Sequence, residues 1–283
     1  MKRTWRASAS LRARYERATE EAKDYFLEHV PHVTAIWVRG SVARGEPGPY
    51  SDIDMMIVLD QERVRPKNEL HSRFFTEYSR FFNECLVRVE ETTGKSFRQD
   101  HLSKYDERFF WKLRSLRESR ILYDPTGLVK ETIRRMNKIS SDPVAQGHVV
   151  AYYFGEVLEF VGKLKNALAA GDAMLAKYSA RMLAWSTGEI IIALNGIAPK
   201  SDNTFVKAVL GARVKPNRFK TDFLEALGYG TRASNPNAVG KSALAVASKI
   251  YLLLRHTFRA KATSDLRSLL TNPEVKNLLS TNY

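Results

Sequence analysis

Two aspartates, Asp52 and Asp54, are the side chains of this sequence best suited to chemistry. They stand at the start of an apolar run, Met55 to Leu59, which is typical of a buried strand. In a strand, residues i and i+2 point to the same face, so both carboxylates project together while Ile53 points into the core. Two like charges this close repel each other unless a cation lies between them, and Mg²⁺ prefers carboxylate oxygens. The pair therefore predicts a magnesium site, although a bare Asp-x-Asp is also common at solvated turns.

A glycine and a serine, Gly40 and Ser41, follow another apolar run, Val33 to Val38. Glycine lets the backbone approach a ligand closely, and serine is a good N-cap for a short helix. The amide groups at such a helix start attract phosphate. We therefore expect a phosphate-binding loop between two strands.

The order of these parts is more specific than either part alone: a strand, Gly-Ser, a turn, and Asp-x-Asp leading a second strand. This arrangement resembles the nucleotidyltransferases of the DNA polymerase β superfamily. Within that superfamily, the sequence GPYSDIDMM at residues 48–56 is similar to the motif of the kanamycin nucleotidyltransferases. Those are aminoglycoside-modifying enzymes, and their motif differs mainly by a Glu at the second acid.

The resemblance implies a reaction and a set of ligands. The chain would move a nucleoside monophosphate from ATP or another NTP to a hydroxyl group and release pyrophosphate. Asp52 and Asp54 would be catalytic by binding two Mg²⁺ ions that bridge the triphosphate. Gly40, Ser41 and Arg44 would hold the β and γ phosphates of the nucleotide.

A third carboxylate usually accompanies the first two in this superfamily, and Glu90 and Glu91 are the candidates. The alternation from Leu86 to Glu91 predicts a third strand, on which the two glutamates face opposite ways. Glu91 follows the apolar face that should point inward, so we favour Glu90 as the metal ligand. The alternative is that both glutamates simply end the strand in solvent.

A second informative pair, Glu159 and Lys163, stands at i and i+4 of a helix predicted to start near Pro143. By pattern alone, such a pair is most often a surface ion pair. The sequence GEVLEFVGKLKN at residues 155–166 is similar to the segment of the kanamycin nucleotidyltransferases that supplies their general base and an α-phosphate-binding lysine. The resemblance thus implies that Glu159 is the catalytic base and that Lys163 binds the α-phosphate. It also implies a homodimer, since the base in that family reaches across a dimer interface.

The patterns divide the chain into an α+β part and an all-α part. Apolar runs predict a small mixed sheet covered by helices, and the aromatic residues of Leu70 to Phe82 predict a helix there. No convincing strand follows Ser140. We expect a nucleotidyltransferase domain over residues 1–139 and a helical-bundle domain, similar to the C-terminal domain of the kanamycin nucleotidyltransferases, over residues 140–283.

Charge and cysteine content restrict the partners and the compartment. The net charge is +14, with 27 basic against 21 acidic side chains in residues 1–140 and 18 against 10 in residues 141–283. Such a field favours anionic partners, a nucleotide triphosphate first and nucleic acid as an alternative. No run approaches the roughly 18 apolar residues that would cross a membrane. The single cysteine, Cys85, suits a reducing cytoplasm.

Three hypotheses about the acceptor stay open. The preferred one is a small molecule with a hydroxyl group, aminoglycoside-like or other, although the basic charge and Gly155, where the kanamycin enzymes have an additional acid, weaken the aminoglycoside reading. The second is AMPylation of a protein or nucleotide addition to RNA, which the basic charge favours. The third is a silent nucleotide-binding module, against which the retention of both acids, Ser41 and the Glu159–Lys163 pair argues.

Overall fold

The protein consists of two compact units that interleave once in sequence. A computed structural model describes residues 8–61, 70–71, 76–199, 202–257 and 263–280. The first unit comprises Met1–Ser103 and Trp111–Lys138, and the second comprises Lys104–Phe110 and Ile139–Tyr283. Residues 104–110 therefore belong to the second unit although the first unit continues after them.

A six-stranded mixed sheet forms the centre of the first unit. Its strand order is β3-β4-β5-β2-β1-β6, with β2 and β5 parallel and the other neighbours antiparallel. The predicted α+β class with a mixed sheet is thus confirmed. The strands are β1 (Val33–Arg39), β2 (Ile53–Leu59), β3 (Leu70–His71), β4 (Thr76–Phe82), β5 (Cys85–Thr93) and β6 (Arg120–Tyr123).

In the part of the chain that the structure describes, five helices accompany the sheet, and α1 covers one of its faces. Phe26 of α1 packs edge-on against Phe82 of β4, with ring centroids 5.8 Å apart, in a core that includes Val38, Met55 and Val89. Burial of these apolar faces is the main force that holds helix and sheet together. The helices are α1 (Ala9–His29), α2 (Gly40–Ala43), α3 (Gly94–His101), α4 (Phe109–Arg117) and α5 (Leu128–Ile139).

The regular elements of the second unit are all helices in its described residues, as the sequence predicts. Asp142 caps the first long helix by accepting a hydrogen bond from the Val144 amide at 2.9 Å, and Pro143 occupies the first helical position. Gly171 ends that helix in the left-handed region, at φ 70°. The helices are α6 (Pro143–Ala170), α7 (Ala173–Asn195), α8 (Asp202–Gly211), α9 (Lys220–Ala226), α10 (Pro236–Thr257), α11 (Ser264–Thr271) and α12 (Pro273–Ser280).

The helix predicted over Leu70 to Phe82 is wrong. Strands β3 and β4 lie there, and residues 72–75, which include two of the phenylalanines, lie outside the described residues. Tyr78 and Phe82 both face Phe26 of α1. Residues four apart share a face in a helix and in a strand alike, so the aromatic spacing does not distinguish the two.

Across the described ranges, no helix is both long enough and apolar enough to cross a membrane.

Candidate active site

Strand pairing brings Asp52, Asp54 and Glu90 to one face of the sheet. Asp54 of β2 pairs with Arg88 of the parallel strand β5, so that Glu90, two residues further along β5, shares their face. Asp52 precedes β2 by one residue and lies on the same side by alternation. Ile53, between the two aspartates, is fully buried on the opposite face.

Glu91 lies on the other side of the sheet from these acids. Its side chain is 1% exposed and accepts a hydrogen bond from the hydroxyl of Tyr78. Tyr78 itself contacts Phe26 in the core beneath α1. The geometry therefore places Glu90, and not Glu91, beside the two aspartates, while the role of Glu90 as a metal ligand stays a prediction.

Two of these carboxylates resist ionisation. Burial raises the pKa of Asp54, the charge of Asp52 raises it further, and the charge of Arg39 opposes the rise. Burial likewise raises the pKa of Glu90, which also feels the charge of Asp54, and Arg39 opposes that rise as well. A buried like-charge pair behaves in this way until a cation joins it.

Two arginines accompany the acids. Arg39, the last residue of β1, donates a hydrogen bond from Nη2 to Oε1 of Glu90. Arg88 is more loosely placed, with Nη1 3.6 Å from Oδ2 of Asp52 and its side chain 54% exposed. The acid face therefore carries protein cations of its own.

Gly40 lets the chain turn from β1 into α2 directly over Asp54. Its φ is +75°, and a Cβ at this position would lie 2.9 Å from Oδ2 of Asp54. A residue with a side chain would thus meet both backbone strain and a clash with the carboxylate. The close approach found in the structure is to Asp54, and the predicted approach of Gly40 to a bound phosphate stays a prediction.

Ser41 is not the N-cap of α2, contrary to the prediction. Because the helix already begins at Gly40, the N-cap residue is Arg39, and the side chain of Arg39 makes no capping hydrogen bond. The hydroxyl of Ser41 instead donates to Oγ of Ser51 at 3.1 Å, and Oγ of Ser51 accepts from the Gly48 amide at 2.7 Å. Ser41 thereby ties the Gly-Ser loop to the turn that carries Asp52.

A cavity of about 150 Å³ opens beside Asp54 within the first unit. Two of its three arginines approach one carboxylate: Nη1 of Arg44 and Nε of Arg114 lie 3.5 and 4.0 Å from Oε2 of Glu118. Arg114 also lies over the ring of Trp111, 5.1 Å from its centroid. The lining residues are Arg39, Gly40, Arg44, Asp54, Trp111, Arg114, Ser115 and Glu118.

Sequence reasoning missed the wall of this cavity that α4 and the residue following it supply. Trp111, Arg114, Ser115 and Glu118 are spaced as one face of a helix, and that periodicity was available in the sequence. Their position against the Gly-Ser loop was not, because it depends on how the helix packs.

Asp52 and Asp54 are suitable ligands for a hard cation, although they do not form a complete metal site by themselves. Within the described ranges, no three His, Cys, Asp or Glu side chains are already grouped to hold a metal. The carboxylates of Asp52 and Asp54 nevertheless repel each other on one face, and Mg²⁺ is commonly held by one or two carboxylates together with substrate phosphates. The donor set of Asp52 and Asp54 thus fits Mg²⁺, while Glu90 is engaged by Arg39.

Glu159 and Lys163 lie on α6 in the second unit. Nζ of Lys163 is 2.5 Å from Oε1 of Glu159, and each side chain is about half exposed. The ammonium also lies 4.9 Å from the ring centroid of Phe160. The hydrogen bond to Glu159 raises the pKa of Lys163. The i, i+4 pair has therefore formed, and both catalytic roles stay predictions.

Tyr152, on the same helix, is under the electrostatic influence of three glutamates and one arginine. Burial raises the pKa of this tyrosine, and the charges of Glu156, Glu107 and Glu159 raise it further, with Arg108 opposing them. The tyrosine is half exposed at 48%.

Comparisons with known proteins concern the domain and its fold. Residues 19–114, about a third of the chain, match the family model of the nucleotidyltransferase domain. A search of curated proteins gave no significant match. The crystal structure of a nucleotidyltransferase-like protein from Exiguobacterium sibiricum 255-15 is similar, with a TM-score of 0.52 and 10% identity over 92% of this chain and 86% of that one. At this identity the similarity shows the fold alone. The domain match and the fold together support a nucleotidyltransferase, with its nucleotidyltransferase domain over residues 19–114.

Proposed function

We propose that this protein transfers a nucleoside monophosphate from ATP or another NTP to a hydroxyl of a small, aminoglycoside-like acceptor and releases pyrophosphate. One observation carries the proposal: Asp52, Asp54 and Glu90 share a face of β2 and β5 beside the Gly-Ser loop, inside the matched domain. Carboxylates beside a phosphate-binding loop suit the positioning and charge neutralisation that phosphoryl chemistry requires.

The acceptor oxygen attacks the α-phosphorus and forms a new P–O bond. The bond from the α-phosphorus to the bridging oxygen of the β-phosphate breaks, and that electron pair leaves with pyrophosphate. We assign the acceptor proton to the carboxylate of Glu159, acting as general base. Asp52 and Asp54, with Glu90, would hold Mg²⁺, which when bound neutralises the charge of the triphosphate.

The residues proposed to hold the triphosphate are Gly40, Ser41 and Arg44 for the β and γ phosphates and Lys163 for the α-phosphate. Arg44 is supported by its place in the cavity beside Asp54, where its guanidinium is 3.5 Å from Glu118. Ser41 is supported by its bond to Ser51, which holds its hydroxyl in the loop.

The acceptor class is supported by the three glutamates whose charges act on Tyr152. An aminoglycoside carries several ammonium groups, and complementary charge raises both the rate and the specificity of its capture. Glu107, Glu156 and Glu159 all act on Tyr152 electrostatically. A homodimer and a cytoplasmic location complete the proposal, and both rest on the sequence resemblance and the single cysteine.

A protein or RNA acceptor is the second candidate, and the net charge of +14 favours it. Binding of RNA would weaken steeply with salt, because phosphate contacts release counterions. AMPylation of a protein would instead leave a covalent nucleotide on a polypeptide.

The test is pyrophosphate release from ATP and GTP with Mg²⁺ across aminoglycosides, simple polyols, RNA and a protein extract. Asp52→Asn should abolish release, and Asp60→Asn, the same change at an exposed residue just after β2, should not. Release with an aminoglycoside supports the proposal, and release only with RNA or protein moves it to the second candidate. Full activity of Asp52→Asn would contradict the proposed role of Asp52 as a catalytic magnesium ligand.

A further inference from the structure

Arg39 lies within the acid site, by which we mean Asp52, Asp54 and Glu90. It pairs with Asp54 across β1 and β2, lines the same cavity as Asp54, and donates a hydrogen bond from Nη2 to Oε1 of Glu90. Its side chain is 30% exposed and that of Glu90 is 18% exposed, so solvent screens their interaction only in part. A guanidinium thus lies beside two of the three carboxylates.

A positive charge beside these carboxylates has a physical reason. Carboxylates that are withdrawn from water are costly unless a positive group or hydrogen-bond donors compensate them. Arg39 supplies such compensation, because its guanidinium donates a hydrogen bond to Glu90 and Arg39 pairs with Asp54 across β1 and β2. The protein therefore offsets part of the cost of burying these carboxylates with a side chain of its own.

The same oxygen of Glu90 cannot serve two cations at full strength. A divalent ion is a compact double charge that needs carboxylate oxygens at short distance. Glu90 would have to exchange its bond to Arg39 for a bond to the ion. The exchange costs the ion part of its binding free energy, since hydrogen bonds between charged groups are the strong ones.

We propose that Arg39 is the internal counter-ion of the acid site and competes with divalent metal for Glu90. It is a positioning residue, and it keeps metal affinity low in the nucleotide-free protein. The inference rests on the proposed function in so far as that function assigns a metal to Asp52, Asp54 and Glu90. It extends that function by stating what the metal must displace.

Arg88 does not share this role. Its guanidinium is 3.6 Å from Asp52, beyond normal hydrogen-bond length, and its side chain is more exposed than that of Arg39. Exposed pairs of this kind contribute little. Arg88 is therefore a matched control: an arginine on the same sheet face, near another of the acids.

The experiment measures binding of Mn²⁺, as a stand-in for Mg²⁺, to the full nucleotide-free chain by electron paramagnetic resonance. Arg39→Gln should bind Mn²⁺ more tightly than wild type by roughly tenfold or more, the effect of losing one charged hydrogen bond. Arg88→Gln should change the affinity much less. Adding Glu90→Gln to Arg39→Gln should cancel the gain, because the ligand that was freed is then removed.

Unchanged or weaker Mn²⁺ binding in Arg39→Gln overturns the proposal, and so does a gain that persists without Glu90. If Arg39→Gln does not fold, Arg39→Lys replaces it; its single, shorter-reaching ammonium should give a smaller gain, and no gain overturns the proposal. Absence of Mn²⁺ binding in every variant, with pyrophosphate release intact, would overturn the counter-ion proposal and leave the proposed function standing. A Glu90-dependent gain without release on any acceptor would support it while the proposed function fails.

Discussion

A Cβ at position 40 would lie 2.9 Å from Oδ2 of Asp54, closer than real side chains allow. Gly40 and Asp54 are therefore one structural unit, in which the turn after β1 closes directly onto a carboxylate of β2. The backbone of the Gly-Ser loop thus packs directly against the carboxylate of Asp54 and leaves no room for a side chain at position 40.

Gly40→Ala should reduce transfer about a hundredfold, because displacing Asp54 by even an ångström misaligns the reacting groups. It should also destabilise the fold by about 1–3 kcal/mol through its positive φ. Pyrophosphate release and thermal unfolding measure the two effects. Gly45→Ala is the matched control, since Gly45 has φ +70° and no atom within 4 Å of a built Cβ. Equal loss of activity in both variants would mean that strain, not the contact with Asp54, matters.

Asp54→Asn should become more stable relative to wild type as the pH rises from acid to neutral. Burial raises the pKa of Asp54 above its ordinary value of 3.8, so the folded state keeps a proton that the unfolded state releases. Wild type therefore loses stability as pH rises through the interval above 3.8, and the asparagine does not. Urea unfolding between about pH 3.5 and 7, the range in which carboxyl groups titrate, measures the difference. A stability difference independent of pH would contradict the prediction.

His101 should make the first unit sensitive to mild acid. Burial lowers its pKa to about 4, although the neighbouring charge of Asp100 opposes the shift. The unfolded chain binds a proton near 6.5 and the folded chain does not, so stability is lost as pH falls from 6.5 through 4. His101→Gln should flatten this loss, as measured by urea unfolding against pH. His29→Gln, at a histidine that is 51% exposed, should keep the wild-type curve; a steep loss in His101→Gln would contradict the assignment.

Glu159→Gln should lower kcat by about 10²–10⁴-fold, the usual contribution of a general base. Its melting temperature should stay near that of wild type, because the ion pair with Lys163 is exposed. Glu131→Gln is the matched control, since Glu131 forms another exposed helical pair, with Arg134 at 2.7 Å. If Glu159→Gln and Glu131→Gln are equally active, Glu159 and Lys163 form only a surface ion pair.

The sequence by itself determined the features that depend on near neighbours. Alternation along a strand places Asp52 and Asp54 on one face and buries Ile53 on the other, and helical periodicity brings Lys163 to Glu159. The α+β class followed from the same local patterns. These predictions needed only the periodicity with which side chains change direction along a strand and along a helix.

The tertiary structure decided everything that depends on which strands and helices meet. Local alternation separated Glu90 from Glu91, but only the register of β5 on β2 placed Glu90 beside Asp54. The bond between Arg39 and Glu90 joins residues 51 positions apart, and no short-range pattern encodes it.

The error over residues 70–82 has the same origin. Tyr78 and Phe82 satisfy a helix or a strand equally well, and pairing with β5 selected the strand. Likewise, the spacing of Trp111, Arg114 and Glu118 is visible in the sequence, but the cavity that they line together with Gly40 and Asp54 is not. Local periodicity sets the direction of a side chain, whereas its partner is chosen by long-range packing, which minimises the free energy of the whole unit.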